Sequence, residues 1–339
     1  MMLTPILKRE QTTLKALKGA SFAIDASIEI HQFLALIRKR DGTLFTDPQG
    51  RVTSHLIGLL TRTSRLIADF DMKPVFVFDG RPNPLKRMTI EMRRAATKKA
   101  EIEYSDAVSK KDHAKAWSKA VMTGRLTGSI LDDAKRLLML MGIPWLEALE
   151  DAEAQASFMA ARGDVWAVGS KDYDCLLYGA PVLARYLTLT GREWLPAQRR
   201  SRPLIPELIR LSKNLALLGI SREQLVDLAI LVGTDFNQGV KGIGPKKALK
   251  LVHESGSIEH MPEEIRSKIT EDLSSVRQIF LKPRVLEKYN LRRSPPDRDG
   301  LVEFLSVERG FNRGRVERLA ERLTRTRKNT DAGLGQWLN

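Results

Sequence analysis

Four short apolar runs, two of them closing on an aspartate, most constrain how this chain can fold. Ser21–Ala26 (SFAIDA), Pro74–Gly80 (PVFVFDG), Val165–Ser170 (VWAVGS) and Pro181–Leu187 (PVLARYL) are rich in Val, Ile, Phe and Leu. Runs this continuous suit strands with both faces covered, not strands with one wet face. Between them the apolar residues shift to the helical period, as at Leu56, Leu59, Leu60, Thr63, Leu66 and Ile67 within Thr53–Phe70, and again in Ser129–Met141. The alternation predicts an α/β fold, a mostly parallel sheet flanked by helices. In such sheets function gathers at the carboxyl ends of the strands. Asp25 and Asp79 stand there, and the third run leads into Lys171-Asp172-Tyr173-Asp174. One strand-end aspartate is ordinarily a turn or a helix cap. Three such ends along one sheet edge point to a site.

Charge narrows the partner. The 339 residues carry 56 Lys and Arg against 41 Asp and Glu, a formal net charge of +15, which favours a polyanion. Arg81 to Arg125 holds twelve of the bases and five acids, so +7 falls within one polar, helix-like stretch. This is either a solvated helical hairpin or a mobile phosphate-binding arm. A second basic feature lies between two apolar helical stretches, Glu223–Val232 and Pro245–Val252. There Gly242 and Gly244 permit a tight turn with outward N–H groups, and Pro245 suits a first helical turn. Lys246 and Lys247 then favour a phosphate at the helix start. This is the helix-hairpin-helix pattern, which grips a nucleic-acid backbone without reading sequence.

The chemistry-bearing set is Asp25, Asp79, Asp151, Glu153, Asp172, Asp174 and Asp235. Asp151 and Glu153 open an apolar helix; two residues apart, they share no helix face and must both act from its first turn. Capping that helix is an equal alternative for this pair. Seven carboxylates cannot crowd one cleft in ionised form unless cations neutralise them. No Cys or His cluster is available, so the ligands are hard oxygens, which favour Mg²⁺ or Mn²⁺. Two such ions about 3.5–4 Å apart suit phosphodiester hydrolysis.

Other classes recede. Cys175 is the single cysteine, so neither an internal disulfide nor a CxxC zinc site can form, as suits a reducing compartment. Met1–Lys8 has no apolar core of signal-peptide length, and Leu137–Leu146 is too short to span a bilayer. The expectation is a soluble intracellular protein with no membrane partner.

With these residues in place, the chain resembles the archaeal and eukaryotic flap endonucleases of the XPG-type nuclease family. The resemblance runs from about Ala23 to the C-terminus. It rests on AIDAS around Asp25, TSHLIGLLTRT from Thr53, VFDGRPNPLKR from Val77, LMGIPWLEALEDAEAQA from Leu140, SKDYDCLLYGAPVL from Ser170 and ILVGTDFNQGVKGIGPKKAL from Ile230. It implies a PIN-like (Rossmann-like) core with a helical arch and a helix-hairpin-helix element. Its expected divisions are nuclease core at 1–80 and 128–219, arch at 81–127, helix-hairpin-helix region at 220–260, a C-terminal helical region at 261–328 and a tail at 329–339. The family's two-metal acids fall on the seven already named. Its arch-base cations fall on Lys86 and Arg93, beside the scissile phosphate. Gly242, Gly244, Lys246 and Lys247 would hold downstream duplex, in the family often with a K⁺ ion near the turn. Arg38 joins the DNA-contacting set. The implied activity is 5′ flap cleavage with 5′→3′ exonuclease activity in Okazaki-fragment maturation and repair, by a monomer acting on branched DNA. The location would be cytoplasmic in an archaeon and nuclear in a eukaryote.

Four positions depart from the family pattern. Asp151 stands where Glu is usual, one methylene shorter. His31 stands where an aromatic, commonly Tyr, stacks on the base flanking the cut. The start, Met1-Met2-Leu3-Thr4-Pro5, lacks the family's Met-Gly. In the tail, Asp331, Leu334, Trp337 and Leu338 keep the spacing of a box for a PCNA-type sliding clamp but lack its Gln and one aromatic. Two other functions stay open at this point: a sibling nuclease preferring bubbles, nicks or four-way junctions, and a non-catalytic DNA-binding scaffold.

Overall fold

The computed structural model describes residues 3–39, 41–110, 112–188, 191–195, 200–269 and 272–335. The chain enters through a short edge strand, β1 (Glu10–Gln11), and then β2 (Ser21–Asp25), which runs directly into helix α1 (Ala26–Leu36). Helix α2 (Ser54–Phe70) leads to β3 (Lys73–Phe78). Two helices, α3 (Arg87–Ser109) and α4 (His113–Ala120), then pack on each other as a hairpin. Helix α5 (Gly128–Leu140), β4 (Trp145–Glu147), α6 (Ala152–Ala161), β5 (Ala167–Gly169), α7 (Asp174–Leu177) and β6 (Val182–Arg185) complete the central part. A separate two-stranded ribbon, β7 (Gly191–Leu195) with β8 (Arg200–Leu204), precedes β9 (Glu207–Arg210). The remainder is helical: α8 (Leu211–Leu218), α9 (Arg222–Val232), α10 (Pro245–Ser255), α11 (Glu263–Arg266), α12 (Leu273–Leu281), α13 (Arg298–Val302) and α14 (Arg313–Gly335). Among the described residues, no helix is long and apolar enough to cross a membrane.

The main sheet has seven strands in the order β1-β9-β6-β5-β2-β3-β4. The five strands from β6 to β4 are parallel, while β9 and β1 add antiparallel pairings at the other edge. The four apolar runs became β2, β3, β5 and β6, and the expected mostly parallel α/β layer is borne out. The shorter strands were not legible. Three residues of β4 cannot display a period of two, and β7 with β8 lacks an apolar run.

Strand alternation decides where the acids point. Phe22, Ile24, Phe76 and Phe78 enter one core, shared with α1, α2, α5, α13 and α14. Ala23, Val75 and Val77 enter the other, shared with α6, α7, α9 and α10. Carried one step further, the same alternation sends Asp25 and Asp79 to the side where α6 and α7 begin. Register brings these ends level, with Asp25 opposite Val77 and Ile24 opposite Gly169.

The end of β3 is fixed by close backbone contact. Gly80 donates its N–H to the Glu150 carbonyl at 2.7 Å, and Arg81 donates to the Leu149 carbonyl at 3.2 Å. A Cβ at Gly80 would lie 1.9 Å from the Ala148 carbonyl oxygen, so only glycine fits without moving backbone. Gly80→Ala is therefore expected to destabilise the protein by about 1–3 kcal/mol, the usual cost of overpacking, and to slow cleavage by displacing Asp79. Urea unfolding and a cleavage assay check both effects; wild-type stability would refute the tight fit.

Candidate active site

The acids reach the same strand-end region from several elements. Asp25 ends β2, and its Oδ1 accepts the Ile28 N–H at 2.9 Å, capping α1. Asp79 follows β3 and accepts the Ala152 N–H at 2.9 Å, satisfying a donor at the open start of α6. Asp151 occupies the N-cap position of α6 without a side-chain cap bond, and Glu153 lies in the first turn. Past β5, Asp172 donates its N–H to Ser170 Oγ (3.1 Å) and accepts from the Asp174 N–H (3.2 Å). Asp174 opens α7, and Asp235 lies just past α9. Glu153, Asp172 and Asp174 come closest together, with one carboxylate oxygen from each within 4.8 Å of the others.

Electrostatics link the rest to this trio. Burial first, and then Asp79, pushes the Asp25 carboxyl well above the usual range; Glu29 and Asp172 add to it. Burial followed by Asp172, Asp174 and Asp25 does the same to Glu153. Asp174 is raised by burial and Asp172, with Asp235 contributing. Asp174 Oδ1 is buried and has no hydrogen-bond partner. An orphaned oxygen in an all-carboxylate cluster fits a hard divalent cation, because such a cation removes both the repulsion and the unsatisfied lone pairs.

Cations close the rim. Lys86, just ahead of α3, places Nζ 2.7 Å from Asp151 Oδ1 and 3.9 Å from Asp235 Oδ2. Burial would lower its pKa, but Asp151, with Glu153 and Asp235, outweighs this and holds it above the usual lysine value. Arg93, on the next turns of α3, contacts both Asp235 oxygens at 2.7 and 2.9 Å. His31, on α1, is held below the usual histidine range by loss of solvent and then by Arg93, with Asp79 opposing. Arg38 lies apart from the acids. Its Nη1 donates to the Gly42 carbonyl at 2.9 Å, and it lines a separate groove with Phe45, Arg62 and Arg65. At the far turn, Gly242 adopts φ +83°, Gly244 is the N-cap of α10 and Pro245 opens it. Lys246 and Lys247 are exposed there. Leu334 falls on α14, while Trp337 and Leu338 lie outside the described residues.

This arrangement has known counterparts. Profiles of the XPG N-terminal domain and the XPG I-region match residues 2–100 and 142–235. Over 335 residues the chain is 43% identical to Flap endonuclease 1 of Methanothermobacter thermautotrophicus, covering 99% of this chain and 98% of that protein. It is 47% identical over 328 residues to Flap endonuclease 1 of Methanopyrus kandleri, covering 95% and 93%. The solved structure of flap endonuclease-1 from Methanococcus jannaschii superposes with a TM-score of 0.76 at 38% identity, covering 96% of this chain and 98% of that one. The chain belongs to the flap endonuclease family. It is a nuclease, a hydrolase acting on DNA.

Around the carboxylate cluster, sequence reasoning missed several neighbours. Glu29 lies one α1 turn beyond Asp25, is buried, hydrogen-bonds Thr188, and is raised to about 7 mainly by burial. Its i+4 spacing from Asp25 was the available signal. Thr89 donates Oγ1–H to the Asp235 carbonyl at 2.8 Å, and the Phe236 ring lies 4.9 Å from Lys86 Nζ. Tyr178 donates its phenol to Asp151 Oδ2 at 2.7 Å. No local pattern marked Thr89, Phe236 or Tyr178, because their partners are distant in sequence.

The raised acids have a thermodynamic consequence. A carboxyl whose folded pKa lies above its unfolded value of about 3.9 makes the native state hold the extra proton. Its stabilising contribution is complete at low pH and is lost as pH rises through the folded pKa. In EDTA, Asp174→Asn should therefore raise the melting temperature at about pH 7.5, and the gain should shrink towards about pH 5. A gain independent of pH would contradict this assignment.

Proposed function

We propose that this structure-specific 5′ flap endonuclease of replication and repair hydrolyses one phosphodiester where single-stranded DNA meets duplex, using its strand-end carboxylate pocket. The reaction leaves a 5′-phosphate and a 3′-hydroxyl. The observation that carries this reading is the Glu153, Asp172 and Asp174 cluster, within 4.8 Å, beneath the cations Lys86 and Arg93. Asp25, Asp79 and Asp235 would join that trio in holding two Mg²⁺ or Mn²⁺ ions; Asp151, expected in the same set, instead has both oxygens engaged by Lys86 and Tyr178. Bound there, such ions supply charge neutralisation for the phosphate and a lowered pKa for the attacking water.

The chain's own side chains do the positioning. Lys86 and Arg93 receive the scissile phosphate as its negative charge develops. Asp151, whose oxygens Lys86 and Tyr178 engage, serves the pocket through Lys86. The His31 ring offers a face to the base beside the cut, and Arg38 contacts DNA away from the acids. The α3–α4 hairpin is the arch through which the 5′ strand passes, and the same geometry supports 5′→3′ exonuclease action on a recessed end. Gly242, Gly244, Lys246 and Lys247 grip downstream duplex through phosphates, with K⁺ as the cation for that turn. The tail around Leu334, Trp337 and Leu338 is the contact for a PCNA-type sliding clamp. The enzyme works as a monomer, and its kinship with archaeal proteins supports a cytoplasmic location.

Three measurements test this. With Mg²⁺ and a labelled double-flap DNA, Asp79→Ala and Asp174→Ala should abolish cutting yet retain DNA binding by anisotropy; residual cutting near wild-type would remove these acids from the site. Lys86→Ala and Arg93→Ala should each slow the single-turnover rate more than about tenfold, or ~1.4 kcal/mol. A four-way junction and a flap blocked at its 5′ end, run in parallel, should be cut poorly; efficient cutting of either would favour a sibling specificity.

The hairpin makes a separate expectation. Lys246→Ala and Lys247→Ala should weaken binding uniformly across sequences and each reduce the slope of log affinity against log salt by about 1. An unchanged slope would place both lysines off the phosphates.

A further inference from the structure

Lys86 is held by a closed circuit of contacts. The Asp151 carboxylate takes Lys86 Nζ on Oδ1 and the Tyr178 phenol on Oδ2, each at 2.7 Å. The Tyr178 ring packs on Phe280 of α12 with centroids 5.0 Å apart. Phe280 meets Phe236 edge-on at 5.3 Å, and the Phe236 ring lies 4.9 Å from Lys86 Nζ. Asp151 and Tyr178 are 8% and 5% exposed, so the carboxylate between Lys86 and the phenol lies largely out of bulk water.

A lysine side chain has four rotatable bonds, and fixing its ammonium costs conformational entropy each time it is used. A short aspartate engaged on one oxygen alone can still turn about its Cβ–Cγ bond. A phenol on the second oxygen removes that freedom, and charge-assisted bonds to a carboxylate are stronger than neutral ones. Prepaid orientation of this kind lowers the barrier of the step that uses it. We propose that Tyr178 is a positioning residue for phosphodiester hydrolysis: its phenol locks Asp151, and Asp151 in turn presents Lys86 to the DNA phosphate. The shorter side chain at 151 fits this role, since Asp151 holds the Lys86 ammonium at the rim while Glu153 reaches the acids Asp172 and Asp174.

The inference rests on the role given above to Lys86, and a double-mutant cycle separates the two. Tyr178→Phe removes only the hydroxyl. It should slow single-turnover cleavage of flap DNA about tenfold in the wild-type background and less than about twofold in a Lys86→Ala background. Mn²⁺ binding to the DNA-free protein, followed by calorimetry, should be unchanged by Tyr178→Phe, and the melting temperature should confirm that each variant is folded. An equal loss in both backgrounds, no loss in either, or a weakened Mn²⁺ affinity would overturn the proposal, the last by showing that Tyr178 supports a cation site instead. If Lys86→Ala itself left the rate unchanged, the role of Lys86 would fall, and this inference with it.

Discussion

Repulsion between buried carboxylates is the constraint around which this protein is built. Asp25, Glu153 and Asp174 are each pushed above the usual acid range, first by burial and then by one another or their neighbours. Left to themselves such groups would separate into water. They stay together because each is fixed by an element that cannot move independently: the end of β2, the start of α6 and the start of α7. The two apolar cores on either face of the sheet hold those elements in register. The cost of gathering the acids is thus met by hydrophobic burial elsewhere, and the local instability is what makes the pocket receptive to hard cations.

The positive charge is arranged as the complement of that pocket. Lys86 and Arg93 stand directly on the acids, and most other cations of the Arg81–Arg125 segment lie along an exposed helical hairpin. A second cationic turn sits at the start of α10, where Gly242 adopts a conformation side chains rarely tolerate. Attraction for a phosphate backbone is therefore spread over the molecule, while the groups suited to chemistry occupy one point. Contacts of this type fix position along DNA without reading bases. They agree with an enzyme that recognises where strands branch.

The rim shows how a flexible cation becomes a precise one. Lys86 is bounded by Asp151, Asp235 and the Phe236 ring, and Arg93 Nη2 donates to both Asp235 oxygens. Thr89 ties the same turn of α3 to the Asp235 backbone. The base of the α3–α4 hairpin is thereby joined to the carboxylate region by several short contacts, although the rest of α3 is largely exposed.

The sequence alone determined the layered α/β core, because continuous apolar runs and 3.6-residue periods have few ways to bury both faces of a strand. It also marked Asp25, Asp79, Asp172 and Asp174, since a polar residue ending an apolar strand must emerge at the sheet edge. The helix-hairpin-helix turn was legible for a local reason too: glycine, proline and lysine each carry a positional preference. Only the tertiary structure decided the rest. It paired Asp151 with Lys86 and Tyr178, set Phe236 beneath the lysine, and buried Glu29 one turn from Asp25. It also formed β4, β7, β8 and β9, whose pairing partners a local pattern cannot name. Local propensity acts over a few residues, whereas the contacts of Asp151, Phe236 and Glu29 join residues dozens of positions apart and exist only once the two cores have closed.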